Sequence, residues 1–197
     1  MMNIGIILLA AGRGERFGGD KLTALLKGKP MYLWTLEKLE GLNTAVPPVV
    51  VTGAAEIISA AKDRGMITVL NRKPELGISR SIRLGIRRLE QQCPKIDGIL
   101  FMVCDQPWLK KRTLIRLLSE FSGGILAVSD GKKAGNPVIF SDMYIEELSR
   151  LTGDVGGRRV LRRHMADVQF LEVDDSRELQ DIDTREQLEM SERQEEN

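Results

Sequence analysis

The sequence predicts an α/β fold: a Rossmann-like three-layer sandwich with helices on both faces of a mostly parallel central sheet. Three observations predict it. Short apolar runs alternate with longer amphipathic segments almost from end to end, the order of repeated strand–helix units. The strand candidates are apolar throughout, as strands buried on both faces are. The polar, glycine-containing segments fall directly after strands, where such sheets place their ligands. At 197 residues, 42% apolar and 29% charged, the chain reads as one domain over 1–197 with a charged tail from about 189.

In chain order, 4–9 (Ile-Gly-Ile-Ile-Leu-Leu) is a buried strand that opens into a glycine-rich loop. Pro30 then sits where a first helical turn begins, and Leu33, Leu36 and Leu39 recur at near-helical spacing. Residues 48–52 form a second strand closed by Gly53, followed by a helix over 54–64 and a strand over 66–70. Ser79 is placed to cap a helix running to about 91, with Ile82, Ile86 and Leu89 on one face. The most apolar strand is 99–103. A helix over 111–121, strands over 125–128 and 137–140, helices over 142–150 and 156–164, and a last strand over 168–173 complete the pattern. The charged segment 186–197 is expected to fray.

Composition excludes several classes of function. A net charge of +1 gives no general reason to bind nucleic acid or an acidic membrane surface. Cys93 and Cys104 make no disulfide framework and suit a reduced compartment. The apolar start is too short for a membrane span, and no basic region precedes it, so a cytoplasmic address is expected. One histidine, His164, with no nucleophile at a recognisable spacing, argues against a hydrolytic triad. One histidine and two separated cysteines do not make a structural zinc site.

The chemistry concentrates after the strands. Leu9-Ala10-Ala11-Gly12-Arg13-Gly14-Glu15-Arg16-Phe17-Gly18-Gly19-Asp20-Lys21 follows the first strand. Its glycines let the backbone bend and bring N–H groups close to an anion, while Arg16 and Lys21 carry mobile positive charge. Gly12, Gly14 and Gly18 therefore read as a phosphate cradle, with a solvated surface turn as the plainer alternative. The loop has neither the Lys-Ser/Thr of a Walker motif nor the glycine spacing of a dinucleotide fingerprint.

Asp105 ends the most apolar strand. A carboxylate there is costly to desolvate unless a cation meets it, and Mg²⁺ is held by one or two carboxylates plus substrate phosphates. An aspartate capping its own turn is the alternative. In Asp181-Ile182-Asp183-Thr184 both carboxylates face one way if the segment is extended, so either could be a second ligand; capping of the final helix is the competing role. Gly77-Ile78-Ser79-Arg80-Ser81 offers polar groups at a helix start, with Arg80, Arg83 and Arg87 as a basic stripe. Gly135-Asn136-Pro137 and Gly153-Asp154-Val155-Gly156-Gly157-Arg158-Arg159 are further anion-suited segments.

Taken together, 9–21, 77–81, Cys104-Asp105-Gln106-Pro107, 135–140, 151–158 and 181–184 resemble, in order, the motifs of the nucleotidyltransferases that mature the molybdenum cofactor, the cytidylyltransferase branch most closely. The likeness spans 4 to about 188. It implies transfer of CMP from CTP to the phosphate of molybdopterin, with release of pyrophosphate. It implies that Leu9, Ala10, Ala11, Gly12, Arg13 and Gly14 bind the nucleotide together with Gly77, Ser79 and Ser81. Arg16, Lys21 and Asp105 become the catalytic set, and Asp105, with Asp183, holds Mg²⁺. Asn136 and 153–158 fall toward the pterin. Guanylyltransferase relatives usually read Leu-Ala-Gly-Gly at the opening and Asn in the closing segment. Ala11, Asp181 and Asp183 therefore favour CTP. Trp108 departs from the smaller apolar residue usual there. The resemblance leaves room for a GTP-dependent enzyme, a sugar- or polyol-phosphate cytidylyltransferase, or a cofactor carrier without catalysis. Transient contact with a recipient molybdenum hydroxylase, such as a xanthine dehydrogenase, is a further implication.

Overall fold

The structure is a computed structural model that describes residues 2–12, 14–131 and 133–193. The chain runs through strand β1 (Ile4–Ala10), a two-stranded hairpin of β2 (Leu25–Leu26) and β3 (Lys29–Pro30), and helix α1 (Met31–Leu39). Then come β4 (Val49–Thr52), α2 (Ala55–Asp63), β5 (Ile67–Leu70), α3 (Ile78–Gln92), β6 (Gly98–Val103) and α4 (Lys111–Glu120). The remainder is β7 (Ile125–Ser129), β8 (Ala134–Ser141), α5 (Ile145–Ser149), α6 (Arg158–Arg163), β9 (Val168–Glu172) and α7 (Arg185–Arg193).

Seven strands form one sheet in the order β5-β4-β1-β6-β8-β7-β9. The mostly parallel sheet expected from the sequence is present. β1 pairs in parallel with both β4 and β6, while β8 runs antiparallel between β6 and β7.

The period-2 alternation of a strand sends neighbouring residues to opposite faces, and β1 shows it. Ile4, Ile6 and Leu8 pack into the layer holding Leu36 and Leu39 of α1, Ile57 of α2, and Leu114 and Leu117 of α4. Ile7 faces the other layer, with Ile82, Ile86 and Leu89 of α3, Leu148 of α5 and Leu161 of α6. Burying each such side chain stabilises the fold by roughly 1.5–3 kcal/mol. α3 lies unusually close to β1: a Cβ on Gly85 would come within 2.6 Å of Ile7, and one on Gly5 within 2.5 Å of Leu89. A third, smaller cluster joins Phe17, Leu26, Met31 and Ile182, with Trp34, Trp108 and Leu188 packed on it. It ties the opening loop to the hairpin and to the end of the chain.

Four expectations need correction. Pro30 closes β3 and stands just before α1 rather than inside its first turn. α3 begins at Ile78 with Gly77 at its cap position, so Ser79 is inside the helix. The strand expected from Pro137 begins at Ala134 and includes Asn136. The segment expected to fray contains α7 over Arg185–Arg193, anchored through Leu188. Among the described residues, no helix is long and apolar enough to cross a membrane.

Candidate active site

The strand order reverses beside β1: from it the chain moves outward through β4 and β5, then returns to lay β6 on its other edge. The carboxyl ends of β1 and β6 flank such a switch point, where open α/β sheets bind ligands. β1 delivers the glycine loop there. Gly14 (φ 58°) and Gly18 (φ 72°) take left-handed conformations, and the N–H groups of Phe17 and Gly18 both donate to the Gly14 carbonyl. This curls residues 14–18 and sets Lys21 at the start of a 3-10 turn, Lys21–Thr23. Arg13 lies outside the described residues.

β6 delivers Asp105. The closing segment reaches the same point because the Ile182 N–H donates to the Asp105 carbonyl at 3.1 Å, and the Gln106 amide donates to the Leu179 carbonyl. Buried Glu178 fastens the segment further. Its carboxylate accepts from the Lys110 N–H at 3.0 Å and the Thr113 hydroxyl at 2.5 Å, at the start of α4.

Lys21 Nζ donates to Asp105 Oδ2 at 2.7 Å and to Asp183 Oδ1 at 2.8 Å, so one ammonium bridges two carboxylates. Burial pulls the Lys21 pKa down, but the Asp105 charge and then the Asp183 contacts outweigh it and hold it above the ordinary lysine value. Arg16 approaches Asp183 Oδ2 at 3.5 Å from solvent. The remaining oxygen, Asp105 Oδ1, is buried without a hydrogen-bond partner. Among the described residues no group of three or more His, Cys, Asp or Glu could hold a metal. Two carboxylates beside a glycine-rich loop nevertheless fit Mg²⁺, which keeps few protein ligands and takes others from substrate phosphates. The orphaned Asp105 oxygen is an acceptor suited to a cation.

A cleft of about 180 Å³ opens beside this centre, lined by Ala11, Gly12, Gly14, Lys21, Gly77 and Asp105. A second cavity of about 280 Å³ adjoins it through shared Leu9, Ile78 and Val103. Its floor is apolar, with Phe101 and Phe140, and its polar side chains come from Gln106, Lys133, Asn136, Arg158 and Asp181. Asp181 is open to solvent along one edge. The protein crowding its carboxyl group, with the Asp105 charge added, pushes its pKa up to about 6. Two sequence motifs meet at the mouth. Gly77 takes φ 83° and ψ 172°, the Ser79 N–H donates to the Gly153 carbonyl, and the Ile78 N–H donates to Asp154 Oδ1.

Residues 6–168 match the family model described as MobA-like NTP transferase domain. The chain belongs to the MobA-like NTP transferase family. Among its relatives, "Purine catabolism protein PucB" of Bacillus subtilis is 31% identical over 196 residues, covering 93% of each chain. "Molybdenum cofactor guanylyltransferase" of Cupriavidus metallidurans is 29% identical over 198 residues, covering 94% of this chain and 93% of that one. The crystal structure of Rv0371c from Mycobacterium tuberculosis superposes with a TM-score of 0.81 at 26% identity, covering 96% of this chain and 97% of that one. The resemblance read from the motifs is therefore borne out at the level of the family, and so is the fold class. The protein is a nucleotidyltransferase of MobA-like type.

Within this MobA-like domain, Arg16, Lys21, Asp105 and Asp183 converge, and Leu9, Ala11, Gly12, Gly14, Gly77 and Ser81 line the adjoining cleft. Ala10 borders a neighbouring groove together with Ala11 and Gly53. Ser79 is fully buried; its hydroxyl accepts from Arg83 and does not line the cleft. The arginine stripe is partly absorbed by the fold: Arg80 Nε donates to Asn71 Oδ1 at 3.1 Å, and Arg83 also donates to the Leu151 carbonyl. His164 lines neither cavity and pairs with Glu147 at 2.7 Å. Cys104 is buried at the end of β6, and burial first, then the Asp105 charge, pushes its thiol up to about 12. Sequence reasoning missed Asn71 and Glu178. Asn71 is buried and donates to the Ser81 hydroxyl at 3.0 Å; its signal was a lone amide directly after a strand. Glu178 carried none, being one acid in a charged stretch.

Proposed function

We propose that the protein transfers CMP from CTP to the phosphate of molybdopterin and releases pyrophosphate. The observation that carries the reading is the Lys21–Asp105–Asp183 centre, set between a glycine loop and a second, apolar-floored cavity. The first side suits a triphosphate and the second a planar, partly polar acceptor.

No protein nucleophile is required. An acceptor phosphate oxygen attacks the α-phosphorus in line, the new P–O bond forms as the α–β bridging bond breaks, and pyrophosphate leaves. The protein's tasks are positioning and charge neutralisation. Glycine-loop N–H groups, Arg16 and Lys21 hold the phosphates. Asp105 and Asp183 would hold Mg²⁺, which supplies charge neutralisation at the phosphates. Arg158 and Asn136 orient the acceptor. Losing one preorganised cationic contact costs on the order of 3 kcal/mol, or ~100-fold in rate.

The reading of CTP rests on Ala11, Asp181 and Asp183 in the family pattern. The guanylyltransferase name of the Cupriavidus relative favours a second reading, GTP on the same acceptor. The purine-catabolism name of the Bacillus relative supports a recipient among molybdenum hydroxylases such as a xanthine dehydrogenase. Purified protein with molybdopterin, Mg²⁺ and each of the four nucleoside triphosphates is the test, read as pyrophosphate release. CTP-specific release is expected. GTP-specific release selects the second reading, and no release with any nucleotide leaves the carrier role. Asp105→Ala and Lys21→Ala are expected to stay folded and lose turnover; near-normal transfer by either removes that residue from the mechanism.

A further inference from the structure

We propose that Lys21 is the resident counter-ion of Asp105 and Asp183 in the empty enzyme, and that it admits a divalent metal only when nucleotide phosphates draw it away. The inference rests on the reading of this centre as a triphosphate site, and goes beyond it by making the lysine and the metal competitors.

The geometry points this way in three respects. First, at 2.7 and 2.8 Å the ammonium makes full charge-assisted hydrogen bonds to one oxygen of each carboxylate. The same pair of acids cannot take a divalent ion beside that ammonium without strong like-charge repulsion. Second, the lysine is the most enclosed member of the three, with 11% of its side chain exposed against 24% for Asp105 and 39% for Asp183. It fills the gap between the acids instead of lying over them. Third, one acceptor is left over: Asp105 Oδ1 is buried and unpartnered, whereas Asp183 Oδ2 already has Arg16 at 3.5 Å. A metal arriving alone therefore meets a single free buried oxygen next to an ammonium.

Lys21 has somewhere else to go. It lines both the deep cleft, with Gly12 and Gly14, and an outer groove, with Arg16 and Asp183. A triphosphate in that cleft offers the ammonium a replacement set of anionic oxygens. Once the lysine turns to them, two carboxylate oxygens become free for the metal. Metal and nucleotide then strengthen each other's binding by the same factor, as linkage requires. A lysine tethered by a four-carbon stem acts as a competitor at high effective concentration.

The experiment measures Mn²⁺ binding by electron paramagnetic resonance of the free ion, on wild type, Lys21→Met, Lys21→Arg and Asp105→Asn, without nucleotide, with CTP and with GTP. Circular dichroism checks that each variant is folded. Without nucleotide, Lys21→Met is expected to bind Mn²⁺ at least ~10-fold tighter than wild type. Lys21→Arg, which keeps the charge, is expected to stay weak, and Asp105→Asn to lose binding. CTP is expected to tighten Mn²⁺ binding more in wild type than in Lys21→Met. If Lys21→Met binds Mn²⁺ no tighter than wild type in the absence of nucleotide, the proposal is overturned. Retained Mn²⁺ binding by Asp105→Asn also overturns it, by placing the ion elsewhere. If the metal-only contrast holds and CTP gives no tightening where GTP does, the counter-ion role stands and the choice of CTP falls.

Discussion

Gly77→Ala separates a backbone requirement from a packing one at the mouth of the site. Gly77 sits at φ 83°, ψ 172°, a region essentially reserved for glycine, which costs a side-chain-bearing residue roughly 1–3 kcal/mol. An added Cβ would also come within 2.4 Å of the Gly153 carbonyl carbon and oxygen and 2.5 Å of the Asp154 nitrogen. Those are backbone atoms and cannot rotate aside, so overpacking adds about 1–3 kcal/mol. The sum, ~2–6 kcal/mol, is a large part of the 5–15 kcal/mol typical of a folded domain. Gly65→Ala is the control. Its φ of 70° is also left-handed, but a Cβ there meets nothing within 4 Å, so it costs only about 1–2 kcal/mol. Urea unfolding followed by tryptophan fluorescence gives both values. Gly77→Ala is expected to unfold at a clearly lower midpoint than Gly65→Ala, and to bind nucleotide more weakly under folding conditions. Equal midpoints for the two variants would refute the contact with the 153–154 segment as the source of the requirement.

Three further outcomes follow from the structure. Lys38 donates to the Pro107 carbonyl, and burial first, then Lys29, lowers its pKa to about 8. The unfolded chain thus holds a proton that the folded one releases between about pH 8 and 10.5. Stability should therefore rise across that window, by up to ~3 kcal/mol, in wild type relative to Lys38→Met; parallel pH profiles of the two would count against it. Cys93, which is half-buried, should react with a thiol reagent at pH 8 in the native protein, while buried Cys104 should react only on unfolding. Equal labelling rates in native protein would contradict this. Glu178→Ala should cost about 1–3 kcal/mol by stranding the Lys110 N–H and the Thr113 hydroxyl. It should also lower turnover through displacement of Asp183, even well below its unfolding transition. Full turnover in the folded variant would limit Glu178 to stability.

The parts of the fold legible in the sequence are those that repeat a period or follow a strand. β1, β4 and β6 announced themselves as unbroken apolar runs, and Asp105 and the glycine loop by standing where such runs stop. Shorter or longer-range features were illegible for physical reasons. β2 and β3 have two residues each, too few to show any alternation. α7 reads as a fraying tail because its polar residues outnumber its apolar ones, and contacts that hold it, such as Leu188 on the Phe17 cluster and Arg185 Nε donating to the Phe17 carbonyl, join residues far apart in sequence. The cap of α3 is not visible locally because the acceptors of its first two N–H groups, Asp154 Oδ1 for Ile78 and the Gly153 carbonyl for Ser79, come from another part of the chain. Lys21 and Asp183 were each found, but their contact spans 162 positions. No local pattern states that the loop lysine rests on the acids rather than on a phosphate.

The hydrogen bond from the Ile182 N–H to the Asp105 carbonyl joins stretches of chain that are made far apart in time. Synthesis delivers Lys21 early and Asp105 midway. The sheet has all its strands once Glu172 has been made. Asp183 arrives only afterwards, on a segment that adds no strand. The ladder pairing of the strands therefore needs nothing from the closing segment, whereas the meeting of Asp105 and Asp183 on Lys21 needs that segment in place. Sheet pairing and the meeting of the two acids are set by different stretches of the chain.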